Sequence, residues 1–282
     1  MATYSFSQVD VFGHEVLTGN PVAVVHDASG LEDRQLADLA RWTNLSETTF
    51  LLPPTDPAAD YRVRIFTPGA ELPFAGHPTL GTAHAWLALG GTPAQPGRVV
   101  QECGVGLVEV RQEDDRLAFA APGFLRSGPV SEDDLGHVLG CLGLEPRQVV
   151  ATEWIDNGPG WLGIEVDSAA TVLSLRPDFA NLLIDVGVLG PHQDGEARRL
   201  GAAYEVRAFC PGLAITEDPV TGSLNAGFGV WLTGAGRVPA SYVARQGTAI
   251  GRDGRVHVDR AEDGTVWVGG VSRTVVQGSL NV

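Results

Sequence analysis

The chain has 282 residues, of which 44% are hydrophobic and 19% charged, and its formal net charge is −15. This balance is ordinary for a globular protein of one or two domains, and a membrane protein is not expected because no apolar run reaches the ~18 to 20 residues of a membrane helix. The acidic charge argues against nucleic acid as a partner, since nucleic-acid binding depends on basic side chains that neutralise phosphates.

Short apolar or alternating segments dominate the first half of the chain and predict β-strands, while two segments have helical spacing. Turn signals separate these segments, for example Gly-Asn-Pro at 19–21 and a proline-rich stretch at 53–57. The predicted strands are 4–12, 22–25, 47–52, 61–66, 98–102, 106–111 and 116–120, and the predicted helices are 31–42 and 78–89.

A stretch rich in proline and glycine at 121–129 is the best candidate for a domain boundary. Ser131 and Asp134 then resemble a capping box, which predicts a helix that ends at 142. Strands outnumber helices, which favours an α+β fold. In this second half the predicted strands are 148–153, 161–166, 203–209, 243–247, 255–258, 264–269 and 274–280, and the further predicted helices are 168–174, 177–183 and 223–232.

One pattern occurs twice, once in each half. The motif R-x-F-x-P-G begins at Arg64 and again at Arg207, and each copy is followed by a helical segment that ends in Trp-Leu. A single long-period pair indicates a duplicated domain, because a solenoid needs three or more repeats. We therefore expect two pseudo-symmetric domains with strands around one central helix: 1–124, joined by a C-terminal strand near 274–282, and 125–273.

The first candidate for chemistry is Glu47, which opens an otherwise apolar strand in the motif Asn-Leu-Ser-Glu-Thr at 44–48. At the mouth of a closed cleft, desolvation would raise the pKa of this carboxyl and suit it to general acid/base catalysis. The alternative is an exposed glutamate at the end of a strand.

The second candidate is the Gly-His-Pro-Thr motif at 76–79, where the helix of the first copy begins. Helix N-termini present free N–H groups and partial positive charge, which favour a carboxylate or a phosphate. His77 could also bind substrate or shuttle a proton. The alternative is a capping turn with a packed histidine.

The third candidate, at 217–223, opens the helix of the second copy. Asp218 could anchor an amine, and Gly222 and Ser223 could bind a carboxylate through backbone and hydroxyl donors. The alternative is an acidic cap before a glycine-rich turn. Because the second and third candidates occupy equivalent places in the repeat, pseudo-twofold symmetry would direct both helix N-termini into one cleft between the halves, a favoured position for ligands.

Other residue types narrow the chemistry. All 19 basic residues are arginine, so a Schiff base with pyridoxal phosphate or a carbonyl substrate is excluded for lack of a lysine amine. Cys103, Cys141 and Cys210 lie far apart, which argues against structural zinc and suits a reducing cytoplasm. The N-terminus has no basic and apolar signal segment, so secretion is not expected. We expect neither a cofactor nor a metal.

Together these motifs resemble the PhzF family of phenazine biosynthesis-like isomerases, in the diaminopimelate epimerase-like superfamily. The resemblance covers essentially the whole chain and includes NLSET at 44–48, RIFTP at 64–68, GHPT at 76–79, DPVTGS at 218–223 and QG at 246–247. It implies two similar domains, each a curved, mostly antiparallel β-sheet wrapped around a central helix, with the active site in the cleft between them.

The resemblance also implies a function. The best understood member isomerises trans-2,3-dihydro-3-hydroxyanthranilate without a cofactor, and members are commonly homodimers. By motif, Glu47 would be the general acid/base, His77 and Asp218 would position polar groups and assist proton transfer, and the carboxylate would be bound by Ser46, Gly76, Gly222 and Ser223. We therefore expect a cytoplasmic isomerase of a small carboxylate.

Two alternatives stay open. The chain could be an isomerase or epimerase of another amino or hydroxy acid, or a non-catalytic small-molecule-binding homologue. Epimerases and racemases of the wider superfamily use two cysteines at the two helix starts. None of the three cysteines of this chain falls there, so a two-thiol mechanism is not expected.

Overall fold

The structure, a computed structural model, describes residues 2–211 and 216–282. The contacts divide the chain into two units, Met1–Ala120 with Gly269–Val282, and Ala121–Val268. Gly212, the last residue of the second R-x-F-x-P-G copy, lies outside the described residues.

Strands are the main elements of both units, and short 3₁₀ turns lie at Ala28–Gly30, Pro146–Gln148 and Thr248–Ile250. The strands are β1 (Thr3–Val11), β2 (Asn20–Val25), β3 (Glu47–Leu52), β4 (Tyr61–Phe66), β5 (Glu71–Leu72), β6 (Arg98–Cys103), β7 (Gly106–Glu113), β8 (Arg116–Ala120), β9 (Arg126–Gly128), β10 (Val149–Asp156), β11 (Leu162–Val166), β12 (Val186–Pro191), β13 (Tyr204–Phe209), β14 (Glu217–Asp218), β15 (Ser241–Gln246), β16 (Gly254–Arg260) and β17 (Val266–Asn281). The helices are α1 (Asp33–Thr43), α2 (Gly76–Ala88), α3 (Glu132–Leu142), α4 (Ala169–Ser174), α5 (Asp194–Leu200) and α6 (Gly222–Gly234).

The strands of the first unit form a closed ladder around α2. β1 pairs antiparallel with both β17 and β2, β2 runs parallel to β3, and β3 pairs antiparallel with β4. β4 runs parallel to β6, and β6, β7 and β8 follow as antiparallel neighbours. β8 pairs with β17, which closes the ladder. The first two turns of α2 are buried on every side, as expected of a helix that strands enclose.

Close backbone approaches explain two glycines of this unit. A Cβ atom added to Gly81 in α2 would lie 2.3 Å from Cγ1 of Val22 in β2. A Cβ atom added to Gly269 in β17 would lie 2.6 Å from the carbonyl oxygen of Leu117 in β8. The central helix and the closing strand therefore need a residue without a side chain at these points.

The second unit repeats this pairing pattern. β10 is antiparallel to β11, β11 parallel to β12, β12 antiparallel to β13, β13 parallel to β15, and β15 antiparallel to β16. α6 packs against β10 and β16 and is buried along most of its length. A cluster of buried apolar side chains joins α3 to β10, β11 and β12. The predicted α+β fold of two similar halves, each with a central helix, is confirmed.

The arginine of the repeated motif forms an ion pair with a glutamate in both units. Nε and a terminal nitrogen of Arg64 bond to the two carboxylate oxygens of Glu71, each at 2.7 Å. Arg207 bonds to both oxygens of Glu217 in the same way, at 2.9 and 2.7 Å. Each pair ties the long strand of the motif to the short strand that follows it, so the motif encodes a structural ion pair.

Three local predictions need correction. Residues 177–183 form no helix, because the Asp178 side chain accepts hydrogen bonds from the Ala180 N–H and the Asn181 amide and closes a turn. The strands predicted at 264–269 and 274–280 are one strand, β17. β5, β9, β12, β14 and α5 were not predicted. The cap at Ser131 is confirmed, since its Oγ accepts from the Asp134 N–H at 3.1 Å.

Candidate active site

Helix α2 begins at Gly76 and places His77 in its first turn. Its N-cap residue, Ala75, has no side-chain acceptor and makes no capping hydrogen bond. The first-turn N–H groups of a helix need partners from outside the helix, and together with the helix dipole they attract anions. The start of α2 therefore suits a carboxylate.

Glu47 is the first residue of β3, and it lies against this helix start. Its Oε2 atom is 3.4 Å from Nε2 of His77, and the two side chains are only 15% and 5% exposed. The chain reaches Glu47 after Asn44, which ends α1 in the left-handed region at φ 53°. The hydroxyls of Thr43 and Thr48 then join α1 to β3 at 2.7 Å, which fixes the entry into the strand.

Burial keeps the His77 imidazole neutral. It lowers the pKa of His77 to about 3, although a hydrogen bond to the Pro21 backbone works in the opposite direction. The Asn20 amide nitrogen, which can only donate, lies 3.5 Å from Nδ1, so Nδ1 accepts there and we assign the single ring hydrogen to Nε2. The Nε2–H then faces Oε2 of Glu47, and the two groups can share this proton.

The start of α6 is built differently. Gly222 and Ser223 are its first two residues, and Asp218 is half-buried in β14 just before it. The Thr221 hydroxyl donates to Oδ2 of Asp218 at 2.6 Å, and this N-cap threonine makes no capping hydrogen bond. The first turn of α6 is thus also without a side-chain cap, and a carboxylate suits it for the same reason.

Two residues that the sequence analysis did not single out hold Ser223. The Trp161 indole N–H donates to the Ser223 hydroxyl oxygen at 3.0 Å. The Asn157 amide donates to the Ser223 backbone carbonyl at 2.8 Å. Both belong to the turn that joins β10 to β11. No local sequence signal marks them, because the contacts join residues more than 60 positions apart.

The two units place different chemistry at equivalent positions. Glu47 pairs with Val22 at the start of the parallel β2–β3 ladder. The corresponding pair at the start of the parallel β11–β12 ladder is Leu162 and Val186. His77 and Ser223 are likewise both second residues of their helices. A buried carboxylate–imidazole pair therefore occurs at this position of the first unit, while the second has hydrogen-bond donors.

The predicted site residues divide between the units. Ser46 directly precedes Glu47 and is half-buried, and Gly76 and His77 are buried, all in the first unit. Asp218, Gly222 and Ser223 belong to the second unit. The three cysteines lie elsewhere, Cys103 in β6, Cys141 in α3 and Cys210 directly after β13.

Within residues 2–211 and 216–282, no group of three or more His, Cys, Asp or Glu side chains is arranged to hold a metal ion. In the same part of the chain, the helices are too short or too polar to cross a membrane.

Three comparisons bear on the identity of the chain. The family model described as phenazine biosynthesis-like protein matches residues 9–278. The antisense-enhancing sequence 1 protein of Schizosaccharomyces pombe is 37% identical and covers 99% of each chain. The trans-2,3-dihydro-3-hydroxyanthranilate isomerase of Pseudomonas aeruginosa is 34% identical over 90% of this chain and 89% of its own. A crystal structure of a PhzF-family protein from Enterococcus faecalis superposes with a TM-score of 0.80 at 25% identity and covers 100% of both chains.

Proposed function

The chain belongs to the phenazine biosynthesis-like family and is an isomerase, and from that premise we propose that Glu47 moves a proton between two carbon atoms of a small carboxylate, without a cofactor. The observation that carries the proposal is the buried pair of Glu47 and His77, 3.4 Å apart beside the uncapped start of α2. A carboxyl group in such a place is shielded from water and has one partner with which it can exchange a proton.

The chemical step needs only groups of this chain. Glu47, as the carboxylate, takes a proton from one substrate carbon, and the electron pair of the C–H bond moves into the conjugated system of the substrate. Glu47 then returns the proton to a second carbon of that system, so the substrate is isomerised and the enzyme is regenerated. The neutral His77 supports the transfer because its Nε2–H can donate to Oε2 of Glu47 and hold that carboxylate in place.

The substrate carboxylate is the group that fits an uncapped helix start. In the first unit, the N–H groups of Gly76 and His77 and the hydroxyl of Ser46 are proposed as its donors. Asp218, Gly222 and Ser223 are proposed as further substrate-binding residues on the basis of the DPVTGS motif. Their roles stay predictions that rest on the family resemblance and on the uncapped start of α6.

The relative from P. aeruginosa is named for trans-2,3-dihydro-3-hydroxyanthranilate, so that compound is the first substrate to test. The alternatives are other amino or hydroxy acids, which would use the same residues. A homodimer in the cytoplasm is the further expectation that the resemblance carries, and size-exclusion chromatography with light scattering would test the dimer.

The experiment is proton exchange in heavy water. Wild-type protein is incubated with trans-2,3-dihydro-3-hydroxyanthranilate, and with a panel of amino and hydroxy acids, while deuterium entry at carbon is followed by NMR. Glu47→Gln is expected to lower the rate of exchange about a thousandfold or more. It is expected to keep the thermal stabilisation that the ligand gives. Full exchange in Glu47→Gln would refute the role of Glu47, and ligand stabilisation without exchange in the wild type would show a binding protein.

A further inference from the structure

We infer that Gln246 and Thr221 form a one-directional hydrogen-bond relay, which holds the Asp218 carboxylate as a fixed hydrogen-bond acceptor. The inference rests on the proposed function, in which Asp218 contacts the substrate, and it assigns two positioning residues to that role. All three residues belong to the second unit.

The relay begins at Gln246, the fully buried last residue of β15. Its Oε1 accepts from the Thr221 backbone N–H at 3.1 Å and from the Asn225 amide at 2.9 Å. Its Nε2 donates to the Asp218 carbonyl at 3.1 Å and to the Thr221 hydroxyl at 2.8 Å. Because a backbone N–H can only donate, Oε1 must face Thr221, and this contact fixes which way the amide points.

The hydrogen bond from Thr221 to Asp218 has its direction fixed by the bond from Gln246 to Thr221. A hydroxyl has one hydrogen, and the Thr221 oxygen already accepts from Gln246. Its hydrogen is therefore the one that bonds to Oδ2 of Asp218 at 2.6 Å. Threonine at an N-cap usually accepts a hydrogen bond from the first turn of its helix. Thr221 makes no such bond, and its oxygen accepts from Gln246 instead.

The first unit also has a buried glutamine beside its central helix, but at a different position of the ladder, because Gln101 pairs with Tyr61 whereas Ala244 pairs with the equivalent Tyr204. Gln101 lies in β6, which runs parallel to β4 as β15 runs parallel to β13. It is also fully buried, but its amide donates to the Thr79 hydroxyl at 3.0 Å and accepts from the Tyr61 hydroxyl at 3.1 Å. A buried glutamine against the central helix is thus common to both units, and its connection to an aspartate belongs to the second.

The relay favours one class of group on the substrate. A carboxylate whose Oδ2 accepts from the Thr221 hydroxyl is fixed in rotation, and towards a substrate it can act only as an acceptor. Such a group recognises a hydrogen-bond donor, either an ammonium or a hydroxyl. Gln246 and Thr221 are therefore positioning residues, which set the direction from which Asp218 receives that donor.

The test uses the protein without substrate. The pH titration of the Asp218 carboxyl is followed by carbon-13 NMR in the wild type, Thr221→Val and Thr221→Ser. Thr233→Val is the matched control, because the Thr233 hydroxyl donates to the Gly229 carbonyl within the same helix. Thr221→Val is expected to move the Asp218 titration upward by about one pH unit, since the carboxylate loses a hydrogen bond. Thr221→Ser and Thr233→Val are expected to stay near the wild type.

Circular dichroism establishes whether each variant is folded. If Thr221→Val unfolds, Gln246→Leu serves as the second disrupting variant, and Thr221→Ser remains the conservative variant for comparison. An unchanged titration in the folded disrupting variant, or an equal change in Thr233→Val, overturns the relay. With a substrate in hand, Thr221→Val should lower kcat/KM about tenfold, and Thr221→Ser should restore it. A wild type that exchanges no carbon-bound hydrogen refutes the proposed function, whereas the NMR titration still decides the relay.

Discussion

The Trp161 indole donates its N–H to the Ser223 hydroxyl oxygen at 3.0 Å. The hydroxyl hydrogen of Ser223 must therefore point away from Trp161, and Ser223 is prepared to act as a donor. Trp161 is 2% exposed, so its ring is held in place by the core. A core residue thus fixes the direction of a proposed ligand-binding group.

The first prediction concerns this contact. Trp161→Phe should raise KM for a carboxylate substrate about five- to tenfold, because the Ser223 hydroxyl can then rotate, and should leave kcat within about twofold. Steady-state kinetics on the substrate found by proton exchange measures both constants. Trp154→Phe is the matched control, since Trp154 is a buried core residue of the same unit whose indole N–H has no hydrogen-bond partner among the described residues. Equal changes in both variants would contradict the prediction.

The second prediction is that His77 does not titrate in the ordinary range. Burial lowers its pKa to about 3, so its ring signal in NMR should stay constant from pH 8 to about 4.5. In urea the same ring should titrate near the ordinary value of about 6.5. The unfolded chain takes up this proton as the pH falls from about 6.5, and the folded chain does not. His77 therefore makes the free energy of unfolding decrease as the pH becomes more acidic. Titration of the His77 ring near pH 6 in the folded protein would refute this prediction.

The third prediction concerns Asp185, which directly precedes β12. Burial, reinforced by repulsion from Asp156, raises the pKa of Asp185 to about 6 from an ordinary 3.8. Between these values the folded chain keeps a proton that the unfolded chain releases, so the free energy of unfolding falls as pH rises and stays lower above pH 6. Asp185→Asn should melt about 3 °C higher than the wild type at pH 7.5, and the gain should nearly vanish at pH 4.

The control for this experiment is Asp115→Asn, which makes the same change of charge at an exposed turn. Thermal unfolding of the three proteins at both pH values gives the comparison. A gain of equal size at both pH values, or a gain in the control as well, would show that the stabilisation does not arise from proton release by Asp185.

The fourth prediction compares the two ion pairs of the repeated motif. Arg207 and Glu217 are 5% and 9% exposed, whereas Arg64 and Glu71 are 28% and 42% exposed. Glu217→Leu leaves a guanidinium buried without its carboxylate and should lower the free energy of unfolding by about 3 to 5 kcal/mol. Glu71→Leu should cost at most about 1 kcal/mol, because water screens that pair. Urea unfolding measures both values, and losses of similar size would disprove the distinction.

The sequence was sufficient where a feature is local. The start of each central helix, the position of Glu47 at the head of a strand and the Ser131 cap all follow from residues within a few positions of each other. Such local preferences act before any tertiary contact forms. The duplicated fold followed from the repeat for the same reason, since each copy carries its own strand, turn and helix signals.

The remaining features depend on contacts between distant residues. Trp161 supports Ser223 and Gln246 orients Asp218 only because β-strand pairing brings them together, and neither residue stands in a pattern that shows its partner. The turn at Asp178 was missed because its apolar neighbours have helical spacing, while the carboxylate bonds of Asp178 favour a turn. β17 was divided in two because its glycines resemble a break, although Gly269 is needed for the close approach to β8.

The pairing of β1 with β17 also has a consequence during protein synthesis. Residues 121–268 form a contiguous unit, whereas the first unit needs residues 269–281 to complete its ladder. When residue 268 has left the ribosome, all residues of the second unit are available, whereas β1 still lacks most of its partner strand β17. The edge of β1 is therefore exposed throughout this interval, and chaperone binding or aggregation of nascent chains should concentrate on the N-terminal segment.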